Sequence, residues 1–358
     1  MQLNRKEAMH RSLFISILAL LSLAVPALAE AAQPRAVVYS KATTIDGVTE
    51  GGLFAVRRGH LNQITENPAD TEPAFSPDGR AIAFVRDGDL YSIRPDGSGQ
   101  RRLTSGGELD SAPLVSPDGR FVVFERRAAA GAPADLYRVR ALGGGLLALT
   151  SGPDDDHQAD LSPDGRAIVF VRGSGTAPET SDDLYSMRPS GRRLARLTRT
   201  GAVDEFEPRY FRGGILFSRG ESAAGPAAYA DVYTMRPNGK RVRPLVRGVG
   251  SAYVEDVSPD GHMLLFRRDQ GLWSKRIGRG RARKLAQLPD GSRTNGVFST
   301  DGRKVGAFVA AEDQQSLVAI VIATRRQTSL AAGYEATEKD GTAIGPVIAW
   351  QPVPRRGR

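Results

Sequence analysis

Acidic side chains recur at two fixed places relative to a repeated Ser-Pro-Asp-Gly motif. The first place lies six residues before the serine and holds Asp70, Asp110, Asp156 and Glu205 in four consecutive repeats. The second place begins a later apolar segment of the same repeats and holds Asp89, Asp135, Asp183 and Asp231. Carboxylates collected around a concave surface focus negative potential and attract cations. We therefore predict that these acids bind a cationic ligand: a basic peptide, a polycation or a divalent metal ion.

The same carboxylates have an alternative, local use. Asp side chains commonly accept hydrogen bonds from backbone N–H groups of their own turn or loop. The two interpretations differ in whether acids of different repeats face one shared surface, and at the level of the sequence both stay open.

The densest polar cluster is the run Asp154-Asp155-Asp156-His157. Carboxylate oxygens are the ligands that Ca²⁺ prefers, so Asp154, Asp155 and Asp156 are candidate metal ligands. The spacing is not that of an EF-hand, because the alternating ligands and the obligatory glycine are missing. We expect no obligatory cofactor and retain Ca²⁺ at this run as the alternative.

Residues for other chemistry are sparse. The chain has no Cys, which excludes thiolate catalysis and thiolate metal sites. After residue 29 only His60, His157 and His262 remain, each in a different repeat, and no Gly-x-Ser-x-Gly motif occurs. We therefore predict no catalytic residues. A carboxylate pair across the acidic positions, as in an inverting hydrolase or a lyase acting on polysaccharide or peptide, is the alternative.

Short strands joined by tight turns must position these acids. The turn motif occurs at residues 76–79, 116–119, 162–165, 258–261 and 299–302, with a degraded copy at 210–214. Proline presets φ, aspartate bonds back to the backbone, and glycine accepts positive φ. An apolar segment suited to a buried strand follows each turn. A repeat of about 40–50 residues is typical of four-stranded propeller blades.

Counting the repeats predicts how the fold closes. Complete units begin near residues 72, 112, 158, 207, 254 and 295. Residues 36–65 supply three further strands, and residues 346–352 resemble the missing first one. We predict an all-β fold, a seven-bladed propeller of four-stranded antiparallel blades closed by pairing of the N- and C-terminal strands. Such closure removes open sheet edges. Six blades is the alternative.

The two ends of the sequence differ from the repeats. Basic residues, an apolar stretch and Ala27-Leu28-Ala29 predict a signal peptide over residues 1–29, followed by a short linker over 30–35. The propeller domain is predicted over residues 36–352, with a basic tail over 353–358. We expect a monomer in the periplasm or outside the cell, with no membrane insertion after signal removal.

The formal net charge of the chain is +9. Basic runs fall on the predicted outermost strands, where cations block edge-to-edge pairing. This structural use accounts for the basic runs, so we do not expect a nucleic-acid partner.

The repeats resemble the TolB-type, WD40-like propeller repeat. The likeness lies in Phe-Ser-Pro-Asp-Gly, a strand ending in Phe, Asp-Leu-Tyr and a closing Leu-Thr, and it covers nearly all of residues 36–352. TolB proteins are periplasmic and bind envelope proteins, so the resemblance implies a non-enzymatic scaffold for a protein or cell-envelope partner. They also carry an α/β domain before the propeller, for which residues 30–36 leave no room. We therefore expect a TolB-like propeller rather than a complete TolB.

Overall fold

The computed structural model describes residues 36–45, 48–57, 60–173, 181–201, 203–221, 230–248, 250–288, 296–311, 314–334, 338–339, 342–343 and 348–350. The predicted signal peptide, linker and basic tail lie outside the described residues. Within these ranges, no helix has the length and apolar character needed to cross a membrane.

The strands follow the repeats. The chain begins with β1 (Val37–Ile45), β2 (Val48–Arg57) and β3 (His60–Gln63). Next come β4 (Thr71–Phe75), β5 (Ile82–Arg86), β6 (Asp89–Ile93), β7 (Arg101–Arg102), β8 (Leu109–Val115), β9 (Phe121–Arg127), β10 (Ala134–Arg140) and β11 (Leu147–Ala148). The middle of the chain forms β12 (Asp155–Leu161), β13 (Ile168–Gly173), β14 (Asp183–Met187), β15 (Ala195–Arg196), β16 (Val203–Phe211), β17 (Gly214–Glu221), β18 (Ala230–Met235) and β19 (Arg243–Val246). Then follow β20 (Ala252–Val257), β21 (Met263–Arg268), β22 (Gly271–Arg276), β23 (Arg283–Gln287), β24 (Val297–Phe298), β25 (Lys304–Ala311), β26 (Gln314–Val321) and β27 (Gln327–Tyr334). The last strands are β28 (Glu338–Lys339), β29 (Thr342–Ala343) and β30 (Ile348–Trp350).

All of these strands except β28 and β29, which pair with each other, form seven four-stranded antiparallel sheets, the blades of a propeller, over the described part of the chain. Blade 1 has the order β30-β1-β2-β3, and blades 2 to 7 each use four consecutive strands from β4 to β27. The innermost strand of each blade contacts that of the next, and the circuit closes between β24, β30 and β4. The predicted seven-bladed propeller is confirmed, and the six-bladed alternative is wrong.

The last strand completes the first blade. β30 pairs with β1 in antiparallel register, with Val37 opposite Trp350, Val38 opposite Ala349 and Tyr39 opposite Ile348. The predicted closure is therefore confirmed at the residue level. Joining the two ends in one sheet gives blade 1 its innermost strand, so the inner edge of β1 is paired.

Apolar side chains fill the spaces between neighbouring blades. Ala83, Val85 and Leu90 of blade 2, for example, pack with Val122 and Phe124 of blade 3. The second strand of five blades contributes a fully buried phenylalanine: Phe84, Phe124, Phe170, Phe217 and Phe266. Because each cluster draws on two blades, the blades stabilise one another around the ring.

The turn motif has the predicted hydrogen bonds. In blade 3, the Ser116 hydroxyl donates to Asp118 at 2.7 Å and accepts the N–H groups of Arg120 and Phe121 at 3.1 Å. Gly119 has φ 71, which an L side chain adopts only with strain. Ser116 is fully buried, so the turn fixes the end of the innermost strand.

Replacing Ile348 with alanine tests the closure. Ile348 is buried against Val37, Tyr39, Val56 and Leu317, so removing its outer methyl groups should cost about 2 kcal/mol of unfolding free energy. Urea denaturation measures this loss. Leu142→Ala is the matched control, since Leu142 is 79% exposed and should change stability by less than about 0.5 kcal/mol. Equal stability of the two variants would contradict the closure.

Candidate functional site

The four acids that precede the turn motif are buried and paired with arginine. In each of blades 2 to 5, an arginine near the end of the second strand approaches the acid of its own blade. The Arg Nε to carboxylate distances are Arg86–Asp70 2.5 Å, Arg126–Asp110 2.6 Å, Arg172–Asp156 2.6 Å and Arg219–Glu205 2.8 Å. In the three aspartate pairs the Nη2 group donates a second bond, at 2.7–2.9 Å.

Each of these arginines also lies over two aromatic rings of its blade. The Arg126 guanidinium is 5.5 Å from the centroid of Phe124 and 5.2 Å from that of Tyr137. The same stack recurs in blades 2, 4 and 5. The acid, the arginine and the two rings therefore form a repeated unit inside each blade, in which the carboxylate charge is neutralised.

The acids at the start of the third strand bond toward the outer strand of their own blades. Arg102 donates to Asp89, and Arg196 donates to Asp183. Asp135 accepts from the Thr150 hydroxyl at 3.2 Å, and Asp231 lies 3.9 Å from Arg247. The predicted binding residues thus lie on four blades, and each of these contacts joins groups of a single blade. Their role in ligand binding stays a prediction.

Blade 6 keeps the arginine of this unit and lacks the acid. Arg268 lies 5.8 Å from the Phe266 centroid, and Ala252 pairs with it in the strand register, where the other blades have an acid. Its Nη2 donates to the Arg247 carbonyl at 3.1 Å instead. This blade therefore provides an internal comparison for the ion pairs of blades 2 to 5.

The candidate calcium ligands also have protein partners. Asp155 accepts the Ala134 N–H at 2.7 Å and lies 3.4 Å from Arg127. Asp154 and Asp156 both approach Arg172, at 3.6 and 2.6 Å. No group of three or more His, Cys, Asp or Glu side chains that would hold a metal ion occurs among the residues described. The geometry thus offers Ca²⁺ no convergent ligand set there.

A cavity of about 830 Å³ opens in the middle of the ring, against the innermost strands of blades 3 to 6. Its charged and aromatic lining consists of Glu125, Asp160, Phe206, Glu207, Arg209, Tyr253, Glu255, Asp256 and Arg267. A second cavity of about 530 Å³ shares Asp160, Arg209 and Asp256 with the first. The two cavities therefore meet at these three side chains.

Bulges in the innermost strands set the geometry of this lining. Ala112, Gln158 and Glu207 have φ near +51 to +52, and the strand register shifts at each of them. Non-glycine residues in this conformation store strain of about 1 kcal/mol or more. The bulge frees a backbone N–H, which donates to the preceding blade: Gln158 to Glu125 at 2.8 Å, and Glu207 to the Gln158 side chain at 2.6 Å. The polar side chains in the cavity are thus held by bonds between blades.

Two aspartates make the same kind of bond at the junction of the cavities. Asp160 accepts the N–H of Tyr210 at 2.6 Å, and Asp256 accepts the N–H of Phe298 at 2.7 Å. Burial raises the pKa of each aspartate to about 6, and the positive charge of Arg209 opposes that rise. At neutral pH these two carboxylates are therefore mostly ionised, on either side of a shared cation.

Glu255 is the most perturbed acid in the cavity. Burial raises its pKa to about 8, and the charge of Glu207 adds to the rise. Arg267, whose Nε lies 3.4 Å from Glu255, and the N–H of Gly296, which donates at 3.0 Å, oppose it. Glu255 is therefore mostly protonated at pH 7, and a cation entering the cavity would favour its ionised form.

An aromatic pair forms part of the apolar lining of the cavity. The rings of Phe206 and Tyr253 are 5.6 Å apart at 35°, and the Arg267 guanidinium lies 4.7 Å from the Tyr253 centroid. Aromatic faces beside carboxylates suit the aliphatic stem and the charged head of Lys or Arg.

Sequence reasoning missed most of this cavity. It gave no role to Asp160, Glu255 or Asp256. A signal was present, because these acids stand two or three residues before the turn serine, where blade 2 has Pro73 and Ala74. Acids at strand positions that hold apolar residues in another blade indicate that these strands line a polar surface.

The fold is similar to several solved structures. Residues 32–203 match the family model of the PD40 TolB beta propeller domain. TolB from Acinetobacter baumannii is 15% identical, with 88% of this chain and 82% of that chain covered and a TM-score of 0.54. An oligogalacturonate lyase in complex with manganese is 13% identical, with coverage of 77% and 86% and a TM-score of 0.62. A puromycin-hydrolyzing peptidase from Mycobacterium tuberculosis is 14% identical, with coverage of 89% and 60% and a TM-score of 0.63. No curated protein matches the sequence. At these identities the likeness concerns the fold alone.

Proposed function

We propose that this protein, whose residues 32–203 match the TolB beta propeller family model, is a non-enzymatic scaffold that binds a protein or another component of the cell envelope. A cationic segment of the partner enters the central cavity between blades 3 and 6. One observation supports this assignment: five carboxylates and only two arginines line a cavity of about 830 Å³.

The charge balance of the cavity favours a cation. Five acids less two arginines leave an excess of three formal negative charges, and protonation of Glu255 reduces it to about two at pH 7. The raised pKa values of Asp160, Asp256 and Glu255 mean that these three carboxylates lack sufficient stabilisation of their charge. A Lys or Arg side chain supplies that stabilisation, and the cavity volume lies in the range of pockets that hold small ligands or a few residues.

The proposed location is outside the cytoplasm. The pattern of residues 1–29 is that of a signal peptide, and TolB proteins, whose repeats this sequence resembles, are periplasmic. A partner in the cell envelope is consistent with both.

Binding of penta-lysine, measured by isothermal titration calorimetry, tests the cavity assignment. The variant Glu125→Gln/Glu207→Gln keeps the side-chain acceptors and removes two charges, so the affinity should fall about tenfold. For the wild-type protein, the affinity should rise between pH 6 and pH 8, because the peptide binds the ionised forms of Asp160, Asp256 and Glu255 and releases their protons.

A matched control removes two carboxylates outside the cavity. Asp87 and Asp269 are exposed and have φ of 50 and 51, a conformation that Asn also tolerates. Asp87→Asn/Asp269→Asn should bind penta-lysine like the wild type. An equal loss in both double variants, or no binding by the wild type, would rule out the cavity as the cation site.

A second candidate is an enzyme acting on polysaccharide or peptide. It is favoured by one observation, that Asp160, Asp256 and Glu255 have pKa values of about 6, 6 and 8 in one cavity, as general acids and bases often do. Turnover of polygalacturonate or of a mixed peptide library, abolished in both Asp160→Asn and Asp256→Asn while penta-lysine binding persists, would favour this candidate.

A further inference from the structure

The outermost segments of blades 4, 5 and 6 carry many cations and no acid. We name residues 188–196, 236–243 and 275–284 the cationic rim. Its cations are Arg188, Arg192, Arg193, Arg196, Arg236, Lys240, Arg241, Arg243, Lys275, Arg276, Arg279, Arg281, Arg283 and Lys284. All of these side chains except that of Lys275 are exposed. Among the described residues, Arg196 alone of this set has a carboxylate within 4 Å, that of Asp183.

Protection of sheet edges, which accounts for exposed cations such as Arg101 and Arg102 of β7 in blade 2, does not account for the whole rim. The outermost strand of blade 3, β11, is Leu147–Ala148, which is equally exposed and carries no cation. Arg188, Arg236 and Arg276 precede the outermost strands and lie in or beside the turns before them. The concentration of charge on three neighbouring blades therefore needs another explanation.

Exposed aliphatic side chains lie on the same side of the molecule. Leu194 and Val242 stand within the cationic rim and are 47% and 38% exposed. On the adjoining edge of blade 3, Leu142 is 79% exposed, and Leu146 and Leu147 are exposed too. These residues are five of the seven large exposed hydrophobic side chains in the described part of the chain, and none of the seven is aromatic.

The rim segments are continuous from blade to blade. The turn at Gly191 of blade 4 packs against the backbone of Leu149 in blade 3, and Gly239 of blade 5 packs against Leu197 in blade 4. In the next interface, Ile277 packs against the same apolar cluster as Leu245. Cations and aliphatic side chains therefore share one contiguous outer surface over blades 3 to 6.

We propose that this surface docks onto an anionic phospholipid membrane. The arginines and lysines pair with lipid phosphates, and Leu142, Leu194 and Val242 enter the boundary between headgroups and acyl chains. Anionic membranes attract basic surfaces, and apolar side chains among the cations add the buried area that stable interfacial binding needs. A nucleic acid would be the other polyanion, but sequence-tolerant binding to it uses aromatic stacking platforms, which this surface lacks. The docking does not involve the central cavity, so it stands independently of the proposed function.

Cosedimentation of the full chain with lipid vesicles tests the proposal. We expect binding to vesicles of phosphatidylcholine mixed with phosphatidylglycerol, weakened by salt, and little binding to phosphatidylcholine alone. In Arg192→Glu/Lys240→Glu/Arg281→Glu, partitioning should fall by at least about tenfold, since each surface cation contributes about fivefold. The triple variant Leu142→Ser/Leu194→Ser/Val242→Ser keeps the charge and should bind several-fold less.

A control variant separates the rim from net charge. Arg303→Glu/Arg325→Glu/Arg326→Glu makes the same change in charge at three exposed arginines of blade 7, outside the rim segments and the blade 3 edge, and it should keep most of the binding. Thermal unfolding confirms that each variant is folded. The proposal is overturned if this control loses as much binding as the rim variant. It is also overturned if the wild type does not bind anionic vesicles. A third contradicting result is that the wild type binds duplex DNA as tightly as it binds these vesicles, while Leu142→Ser/Leu194→Ser/Val242→Ser binds the vesicles like the wild type.

Discussion

Replacing Glu255 with glutamine is expected to stabilise the protein at alkaline pH and to flatten the pH dependence of its unfolding free energy. Burial, reinforced by Glu207, raises the pKa of Glu255 from 4.5 to about 8. Between these values the folded protein holds one more proton than the unfolded chain, so stability falls as the pH rises through this window. The loss is on the order of 5 kcal/mol, at about 1.4 kcal/mol per pH unit.

The glutamine variant cannot ionise, so this loss should disappear while stability near pH 5 stays close to that of the wild type. Its amide oxygen still accepts the N–H of Gly296. Urea denaturation at a series of pH values between 5 and 9 measures the effect. Asp160 and Asp256 add a slope of the same sign between 3.8 and about 6, which both proteins share. Asp269→Asn, at an exposed site, should leave the curve unchanged. A curve for the Glu255 variant that follows the wild type would show that Glu255 is not the titrating group.

Replacing Arg126 with methionine is expected to lower the unfolding free energy by about 3–5 kcal/mol at neutral pH. Arg126 donates two bonds to Asp110, at 2.6 and 2.9 Å, and both side chains are buried. Without the guanidinium, the Asp110 carboxylate keeps the Thr104 hydroxyl as a donor at 2.6 Å, but it has lost its countercharge. An uncompensated charge in a buried site is the costly outcome, more so than the loss of the pair itself.

Blade 6 supplies the matched control for this prediction. Arg268→Met truncates an arginine that also stacks on a phenylalanine, but Ala252 stands opposite it, so no carboxylate is left behind. The cost should be about 1 kcal/mol, from lost packing of the side chain. The double variant Asp110→Asn/Arg126→Met should recover part of the stability lost in the single variant. Equal losses in the two methionine variants would mean that stacking, and not the ion pair, dominates.

The ion pairs show what can and cannot be predicted from the sequence of a single repeat. In three blades the arginine follows its acid by sixteen residues, as in Asp70 and Arg86. That constant spacing is visible in the sequence, yet the acids alone were interpreted as a shared binding surface. The strand register decides which residues of neighbouring antiparallel strands lie opposite each other. In this stretch of blade 2, the bulge at Glu72 shifts that register.

Local chemistry determined the architecture. Serine, proline, aspartate and glycine in a turn act within a few residues, and each repeat carries its own copy. The number of blades and the pairing of the C-terminal segment with the first blade therefore followed from the sequence, whereas the register that places Val37 opposite Trp350 came from the structure. The cavity was decided by the tertiary structure. Glu125, Asp160 and Glu255 come from different blades, and only the curvature of the closed ring brings them to one space. Burial and neighbouring charges, which shift the pKa values of Asp160 and Glu255, exist only after the ring has formed.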